Sequence, residues 1–196
     1  MEREIIFTGI GGQGIQLMAK VLAQAAASEG KYAMLFGVYG GAMRGSPSES
    51  TLVIADEEIQ APPIVPQCWC VVAMHPKSLA TLAPKLRSDG QLFLNETLVR
   101  ANPRPDVTSV AIPATRLAER TANIVGAGMV MLGALAATTQ LFTVESLANA
   151  MRALLPAHRT RMADTNATLL QLGADYVRSG AQHGDSSAVT RHMARP

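Results

Sequence analysis

The chain has 196 residues, of which 48% are hydrophobic and only 16% are charged. This length predicts a single domain with a sizeable core, and the near balance of 17 basic and 15 acidic residues excludes an electrostatic nucleic-acid binder. The sequence contains no apolar run long enough to cross a membrane and begins without a cationic leader, so we expect a cytoplasmic protein with no membrane partner.

The first predicted elements are a strand, a glycine-rich loop, a helix and a second strand. Residues 5–8 form a short apolar run that stops at Gly9, which is typical of a buried strand. The helical spacing of apolar residues predicts a helix over about 13–29, and residues 32–36 form the next apolar run. This order is that of a βαβ unit and predicts a parallel sheet.

The rest of the chain alternates strands and helices before it becomes helical. After a glycine-rich loop over 37–47, we predict strands at 50–55, 69–74, 91–95 and 107–111, and helices at 77–87, 115–139, 144–155 and 158–178. The predicted fold class is α/β and Rossmann-like, a mostly parallel sheet flanked by helices with a helical C-terminal part. Residues 1–178 are expected to form this domain. Residues 179–196, where the composition shifts to Gly, Ser, His and Ala, are expected to form a flexible or partner-bound tail.

The loop after the first predicted strand carries a ligand-binding pattern. Gly9, Gly11 and Gly14 match G-x-G-x-x-G between a predicted strand and a predicted helix. Glycine allows a ligand to approach the backbone closely, and the start of a helix favours an anion. A nicotinamide dinucleotide site also needs an acidic residue at the end of the second strand, and none stands there. The loop therefore predicts a bound phosphate or other anion, or tight packing without a ligand.

The loop after the second predicted strand contains one arginine, Arg44, among glycines and hydroxyl residues, with Tyr39 before it and Ser46 after it. Loops that follow parallel strands lie at the same carboxyl edge of a sheet, so Arg44 is expected to reach the first loop. A guanidinium group suits a carboxylate or a phosphate. A salt bridge at an interface and a solvated arginine are equally consistent with the pattern.

Other residues that often carry chemistry give weaker signals. Cys68 and Cys70 are predicted to lie in one strand with both side chains on the same face. Two cysteines are too few for an iron–sulfur cluster or a structural zinc ion, so we interpret them as small buried hydrophobic residues. His75, at the end of the same strand, is interpreted as structural. The glycines within 123–135, among them Gly133, weaken an isolated helix and predict the close approach of another backbone.

Three motifs stand in order along the chain: Gly9-Ile10-Gly11-Gly12-Gln13-Gly14, then Tyr39-Gly40 with Arg44-Gly45 and Ser48, then Asn123-Ile124-Val125 with Leu132-Gly133-Ala134-Leu135. Together they resemble the G-x-G-G-Q-G loop, the Y-G-x-x-x-R-G-G-x-S loop and the N-M-V-x-L-G-A-L helix of the gamma subunit of 2-oxoacid:acceptor oxidoreductases. The second loop departs from the family pattern, because Ser46 replaces a glycine and Pro47 follows it. The spelling of the loops is closer to the 2-oxoglutarate type than to the pyruvate type.

The resemblance implies a subunit of a complex that oxidatively decarboxylates a 2-oxoacid and joins the acyl group to coenzyme A. Thiamine diphosphate and iron–sulfur clusters are then expected on catalytic alpha and beta subunits, with electrons passing to ferredoxin or a similar acceptor. The chain itself is expected to hold no cofactor or metal alone, to have no catalytic residue and to be inactive in isolation. The resemblance implies that it supports the coenzyme A side of the site through Gly9, Gly11, Gly12, Gln13, Gly14, Tyr39, Arg44 and Ser46.

Two other functions remain open on the sequence. One is a stand-alone nucleotide- or phosphate-binding Rossmann-like protein, and the other is a structural adaptor whose glycine loop stays empty. The charged fraction of 16% lies well below the usual value of about 25%. A surface with so few charges favours a chain that is partly covered by a partner.

Overall fold

The computed structural model describes residues 1–39, 45–60, 65–121, 126–156 and 160–182. The strands are β1 (Glu2–Ile10), β2 (Tyr32–Tyr39), β3 (Pro47–Ala55), β4 (Cys68–Ala73), β5 (Leu86–Asn95) and β6 (Thr108–Ile112). The helices are α1 (Ile15–Ser28), α2 (Leu79–Leu82), α3 (Ala114–Glu119), α4 (Ala127–Thr139), α5 (Val144–Leu154) and α6 (Thr160–Gln182). The strands form one sheet in the order β2-β3-β1-β4-β5-β6.

The sheet is mixed but mostly parallel. β1, β4, β5 and β6 run parallel to one another, whereas β3 lies antiparallel between β1 and β2. The predicted α/β class is confirmed, but the predicted βαβ unit does not place its two strands side by side. β2 and β3 form a hairpin in which Tyr39 stands opposite Ser48. Because β3 is antiparallel to both of its neighbours, β1 and β2 still end at the same edge of the sheet.

The loop predicted over 37–47 is shorter in the structure. Residues 37–39 complete β2, and Pro47 opens β3, a position at which proline is tolerated. Gly37 suits the strand because a Cβ there would lie 2.5 Å from Oε1 of Gln16 on α1. The strand and the helix can therefore pack this closely only where the strand has no side chain.

Most helices cover one face of the sheet. Phe7, Val72 and Phe93 project from the strands into a core shared with α1 and α3 to α6. The other face is covered more thinly, by residues 76–86 and the segment before β6, which contribute to a second cluster around Ile6. α4 is buried on all sides over 127–136, because it lies between the sheet and α6.

α4 and α6 are in backbone contact. A Cβ at Gly133 would lie 1.8 Å from the carbonyl oxygen of Leu170, and a Cβ at Gly173 would lie 1.8 Å from that of Val130. No side chain fits in either place. The close backbone approach predicted at Gly133 is confirmed, and Gly173 is its counterpart on the facing helix.

The segment predicted to be helical over 77–87, with an interruption or a new turn at Pro84, is broken into short turns and ends earlier, at Lys85. The segment consists of two short 3-10 turns, Pro76–Ser78 and Ala83–Lys85, with the single turn of α2 between them. Pro76 opens the first turn, where proline is favoured, whereas Pro84 lacks the N–H group that α2 would need to continue. β5 begins at Leu86, immediately after the second turn.

The C-terminal helices differ from the prediction at two points. The helix predicted over 115–139 is divided into α3 and α4, and residues 122–125 between them lie outside the described residues. α6 continues to Gln182, beyond Ser179, where the tail is predicted to begin. Residues 183–196 also lie outside the described part, so the tail stays a prediction. Within the described ranges, no helix combines the length and the apolar character needed to cross a membrane.

The two cysteines lie on opposite faces of the sheet, and the predicted common face is wrong. The register of β4 against β5 shifts between Cys68 and Cys70, which places Cys70 under the helices and Cys68 in the thinner cluster. Burial raises the pKa of Cys68 to about 12 and raises that of Cys70 well above its ordinary value. Both thiols therefore stay protonated and pack as buried hydrophobic residues, as predicted.

Candidate functional site

The loops after β1 and β2 meet at the carboxyl edge of the sheet, as predicted. The N–H of Gly11 donates a hydrogen bond of 2.9 Å to the carbonyl oxygen of Ser46, which lies just before β3. Tyr39 is the last residue of β2 and ends at the same edge. Arg44, with the rest of 40–44, lies outside the described residues. Its predicted reach to the first loop therefore stays a prediction.

The glycine loop combines one crowded glycine with two open ones. At Gly9, a Cβ would meet the side chains of Gln13, Ile15 and Met74 at 2.5 to 3.1 Å. Gly12 and Gly14 have φ of 99° and 75°, a region that favours glycine, and no atom of another described residue lies within 4 Å of where their Cβ would stand. The loop thus turns sharply and leaves free space beside Gly12 and Gly14.

The side chain of Gln13 fixes the loop to two strands. Its Oε1 accepts a hydrogen bond of 2.9 Å from the N–H of Ile10, and its Nε2 donates one of 3.3 Å to the carbonyl oxygen of Met74, just after β4. Gly9 leaves the room that this amide group occupies. The side chain of Gln13 therefore stabilises the shape of the loop, and the backbone of Gln13 is itself part of the turn.

The start of α1 is left without a capping side chain. Gly14 is the N-cap, no side chain accepts from the first turn, and that turn contains no acidic residue. The first helical hydrogen bond runs from the N–H of Met18 to the carbonyl oxygen of Gly14, at 2.9 Å. The preceding N–H groups and the helix dipole give this edge a positive potential. The arrangement suits an anion.

Three polar residues near this edge are absent from the sequence prediction. Lys77 donates from Nζ to the carbonyl oxygen of Gly45, at 3.4 Å, and so adds a cation beside the second loop. Gln16 bridges α1 to β3, because its Nε2 donates to the carbonyl oxygen of Glu49 at 2.8 Å and its Oε1 accepts from Ser50 at 2.7 Å. The only sequence signal for Gln16 is an amide in the first turn of a largely apolar helix.

Asn95, the third of these residues, is fully buried at the end of β5. Its Nδ2 donates to the carbonyl oxygen of Met74 at 3.2 Å and to Oγ1 of Thr115 at 2.9 Å. The Met74 carbonyl therefore accepts from both Asn95 and Gln13. His75, next to it, accepts at Nδ1 from the N–H of Lys77 at 3.2 Å, a local capping contact that agrees with its structural interpretation.

The opposite, amino edge of the sheet has a different electrostatic character. Asp56, at the end of β3, lies 2.8 Å from both Nζ of Lys31 and the terminal amine of Met1. The hydrogen bond from Lys31, followed by that from the terminal amine, lowers the pKa of Asp56 to about 2. Charges at the amino edge are thus paired, whereas the positive end of α1 at the carboxyl edge has no acidic neighbour in its first turn.

The cysteines do not fit an iron–sulfur cluster. Such a cluster is held by thiolates that converge on it, and Cys68 and Cys70 are protonated and face opposite sides of the sheet. Among the described residues, no three His, Cys, Asp or Glu side chains come together as metal ligands.

The comparison with known proteins identifies the family. A model of the pyruvate ferredoxin/flavodoxin oxidoreductase family matches residues 4–176. The chain belongs to this family. The resemblance drawn from the three sequence motifs is thereby confirmed. Among known members, the 2-oxoglutarate synthase subunit KorC of Methanothermobacter marburgensis is 33% identical over 188 residues, which cover 92% of this chain and 99% of the relative.

Two further relatives differ in how much of their length this domain occupies. The ketoisovalerate oxidoreductase subunit VorA of the same organism is 29% identical, but the match covers only 38% of its length, against 92% of this chain. The crystal structure of the gamma subunit of a keto/oxoacid ferredoxin oxidoreductase from Geobacter sulfurreducens superimposes with a TM-score of 0.78 at 25% identity, covering 91% of this chain and 98% of the relative. The domain therefore occurs both as a separate chain and as part of a longer one.

Proposed function

We propose that this chain, the gamma-type subunit of a 2-oxoacid:ferredoxin oxidoreductase complex, binds the phosphate groups of coenzyme A at the carboxyl edge of its sheet. The observation that supports this proposal is the open turn at Gly12 and Gly14, which leads into the uncapped start of α1. A phosphate accepts hydrogen bonds from backbone N–H groups and is stabilised by the positive end of the helix dipole.

The other predicted site residues have distinct tasks in this proposal. Gly9 and Gln13 keep the loop in its turned shape, and Gly11 joins it to Ser46 through the 2.9 Å hydrogen bond. Arg44 supplies a guanidinium group that can donate two hydrogen bonds to the oxygens of a second phosphate group. Tyr39 precedes Arg44 in the sequence and Ser46 follows it. Lys77 adds a further cation, because it contacts Gly45 directly.

The chemistry of decarboxylation and electron transfer is assigned to partner subunits. Thiamine diphosphate supplies the carbanion chemistry and iron–sulfur clusters carry the electrons when these groups are bound to the catalytic alpha and beta chains. This chain contributes binding and orientation only, so it is expected to be inactive alone. The acceptor is ferredoxin or a similar carrier. The substrate is a 2-oxoacid, and 2-oxoglutarate is favoured because it is the 2-oxoacid in the name of the KorC relative, a 2-oxoglutarate synthase subunit.

The test compares two glycines at the two ends of α1 in the assembled complex. Gly14 and Gly30 have nearly equal φ, 75° and 73°, and at neither does an atom of another described residue lie within 4 Å of the place where a Cβ would stand, so alanine strains both backbones alike. Gly14→Ala is expected to raise the KM for coenzyme A about tenfold, or ~1.4 kcal/mol, with little change in kcat. Gly30→Ala is expected to leave both constants unchanged. Arg44→Ala should act in the same direction as Gly14→Ala.

An unchanged KM for coenzyme A in both the Gly14 and the Arg44 variants would favour the structural adaptor with an empty loop. Calorimetry on the isolated chain separates the remaining alternative. Tight binding of a nucleotide or of coenzyme A without any partner subunit would favour a stand-alone phosphate-binding protein and contradict the proposal.

A further inference from the structure

The outer strand β2 is unusual for the edge of a sheet. Among the described strands it pairs with β3 alone, and its eight residues, Tyr-Ala-Met-Leu-Phe-Gly-Val-Tyr, include no charged residue and no proline. Native proteins commonly protect such edges with charges, prolines or bulges, because unpaired backbone groups attract another chain. Nothing in the sequence of β2 provides this protection.

One face of β2 also exposes aromatic side chains. Tyr32 and Phe36 are 49% and 44% exposed, although both are large and apolar. Leu35 packs towards the main core, and Gly37 lies against Gln16 of α1. Because side chains alternate along a strand, Tyr32 and Phe36 project from the side of the sheet opposite α1. The unprotected edge and the exposed aromatic face belong to the same strand.

We propose that the β2 surface, meaning the outer edge of β2 with Tyr32 and Phe36, docks a catalytic subunit of the same oxidoreductase. This inference rests on the proposed function and adds the contact surface to it. Aromatic side chains are enriched at the buried centre of protein interfaces, and a surface without charges loses little hydration when it is covered.

The position of the β2 surface favours a catalytic subunit as its occupant. β2 ends at Tyr39, at the carboxyl edge where Gly11 contacts Ser46, so a chain docked along β2 is continuous with the candidate site. The glycine loop and the first turn of α1, residues 11–18, offer backbone N–H groups and contain no ionisable side chain, so groups for the reaction itself must come from elsewhere, and we assign them to another polypeptide. A second copy of this chain would bring only the same groups.

The relatives support unlike polypeptide as the neighbour of this domain. In VorA the matched segment is 38% of a longer chain, so there this domain is covalently joined to further polypeptide. A domain that exists both fused and separate needs a contact with unlike units in each case. An apolar strand next to the functional loops provides such a contact in the separate form.

The experiment uses the tagged full-length chain expressed in its native host together with its natural partners. The double variant Tyr32→Asp with Phe36→Asp places two carboxylates on the β2 surface. The matched control is Met162→Asp on α6, because Met162 is 46% exposed and equally apolar but lies on a different surface. Catalytic subunits recovered with the tag are measured by mass spectrometry and by their thiamine diphosphate content, without any substrate.

Recovery of the catalytic subunits is expected to fall at least about tenfold for the double variant, because carboxylates lose their hydration in an apolar interface, and to stay unchanged for Met162→Asp. Circular dichroism of each isolated chain checks that the variants fold. In the wild-type complex, amide hydrogen exchange of residues 32–39 should slow on assembly relative to the isolated chain, a measurement that needs no variant.

Two results would overturn the proposal. The first is normal recovery of catalytic subunits with the double variant and no change in exchange over 32–39. The second is a wild-type chain that is dimeric by light scattering, becomes monomeric with Phe36→Asp, and still assembles normally, which would assign the β2 surface to a second copy. Assembly is measured without coenzyme A, so a failure of the phosphate-binding proposal would appear in the Gly14 kinetics and not here.

Discussion

The glycine loop and the contact between α4 and α6 use the same residue for opposite reasons. In the loop, Gly12 and Gly14 have positive φ, and no other residue of the described part of the chain occupies the space where their side chains would stand. In the helix contact, Gly133 and Gly173 have ordinary helical backbones, and the facing backbone fills the space of a side chain. A Cβ at either glycine would lie 1.8 Å from a carbonyl oxygen of the other helix. The first region needs glycine for its conformation and the second for its lack of volume.

This difference separates binding from packing within one family pattern. The family motifs include both Gly12 and Gly133, and the sequence alone does not show that one glycine is needed for its conformation and the other for its small volume. Free space beside an uncapped helix start can accept a ligand, whereas a filled space between two helices cannot. The loop is therefore the part of the pattern that supports a functional site, and the helix contact is the part that holds the core.

The largest effect is expected where the space is filled. Gly173→Ala places a methyl group against the carbonyl of Val130, and neither helix backbone can move aside without losing contacts along α4 and α6. We expect the free energy of unfolding to fall by about 3 kcal/mol or more, measured by urea denaturation of the purified chain. Gly30→Ala is the control and should cost about 1 kcal/mol, because only its φ is unfavourable. Equal costs for the two variants would contradict the distinction.

An intermediate effect is expected at Gly9, which lies in β1 at the start of the glycine motif and has no free space for a side chain. Gly9→Ala brings a methyl group to 2.5 Å from Oε1 of Gln13 and 2.7 Å from Cδ1 of Ile15. We expect a loss of about 2 kcal/mol, because side chains can yield more than a helix backbone can. The measurement is a double-mutant cycle with Gln13→Ala, which removes the nearest contact.

The cycle tests whether crowding at Gly9 acts through Gln13. The double variant should be more stable than the sum of the two single effects predicts, by about 1 kcal/mol. Strict additivity would show that the methyl group at Gly9 clashes elsewhere, and it would remove Gln13 as the residue that shapes the loop.

The sequence predicts the local parts of the fold well and the pairing of distant segments poorly. The strand, loop and helix around Gly9–Gly14 are encoded by neighbouring residues, and the structure confirms them. The insertion of β3 between β1 and β2 depends on which distant strands pair, and no short pattern reports this. The shift between Cys68 and Cys70 has the same origin, because it arises from the register of β4 against β5.

The candidate site follows the same rule. The meeting of the loop at Gly11 with Ser46 follows from strand direction alone, and that reasoning holds even though an antiparallel strand separates the two parallel ones. The contacts of Gln16, Lys77 and Asn95 are not predictable in this way, because each is a single polar residue whose partner is a distant backbone carbonyl or side chain.

The smallest loss of stability is expected at Gly12, where a side chain would disturb only the backbone conformation. Gly12 has φ of 99° and open space around it, so Gly12→Ala should cost about 1 kcal/mol of unfolding free energy. Gly12→Asn should cost less than alanine, because asparagine tolerates positive φ, and Gly12→Val should cost most, because a branched Cβ does not. At Gly173 the order must reverse, with asparagine worse than alanine, since volume decides there. Urea denaturation of the three Gly12 variants and of the alanine and asparagine variants of Gly173 gives the order of stability at each position. The same order at both positions would contradict the distinction between conformation at Gly12 and volume at Gly173.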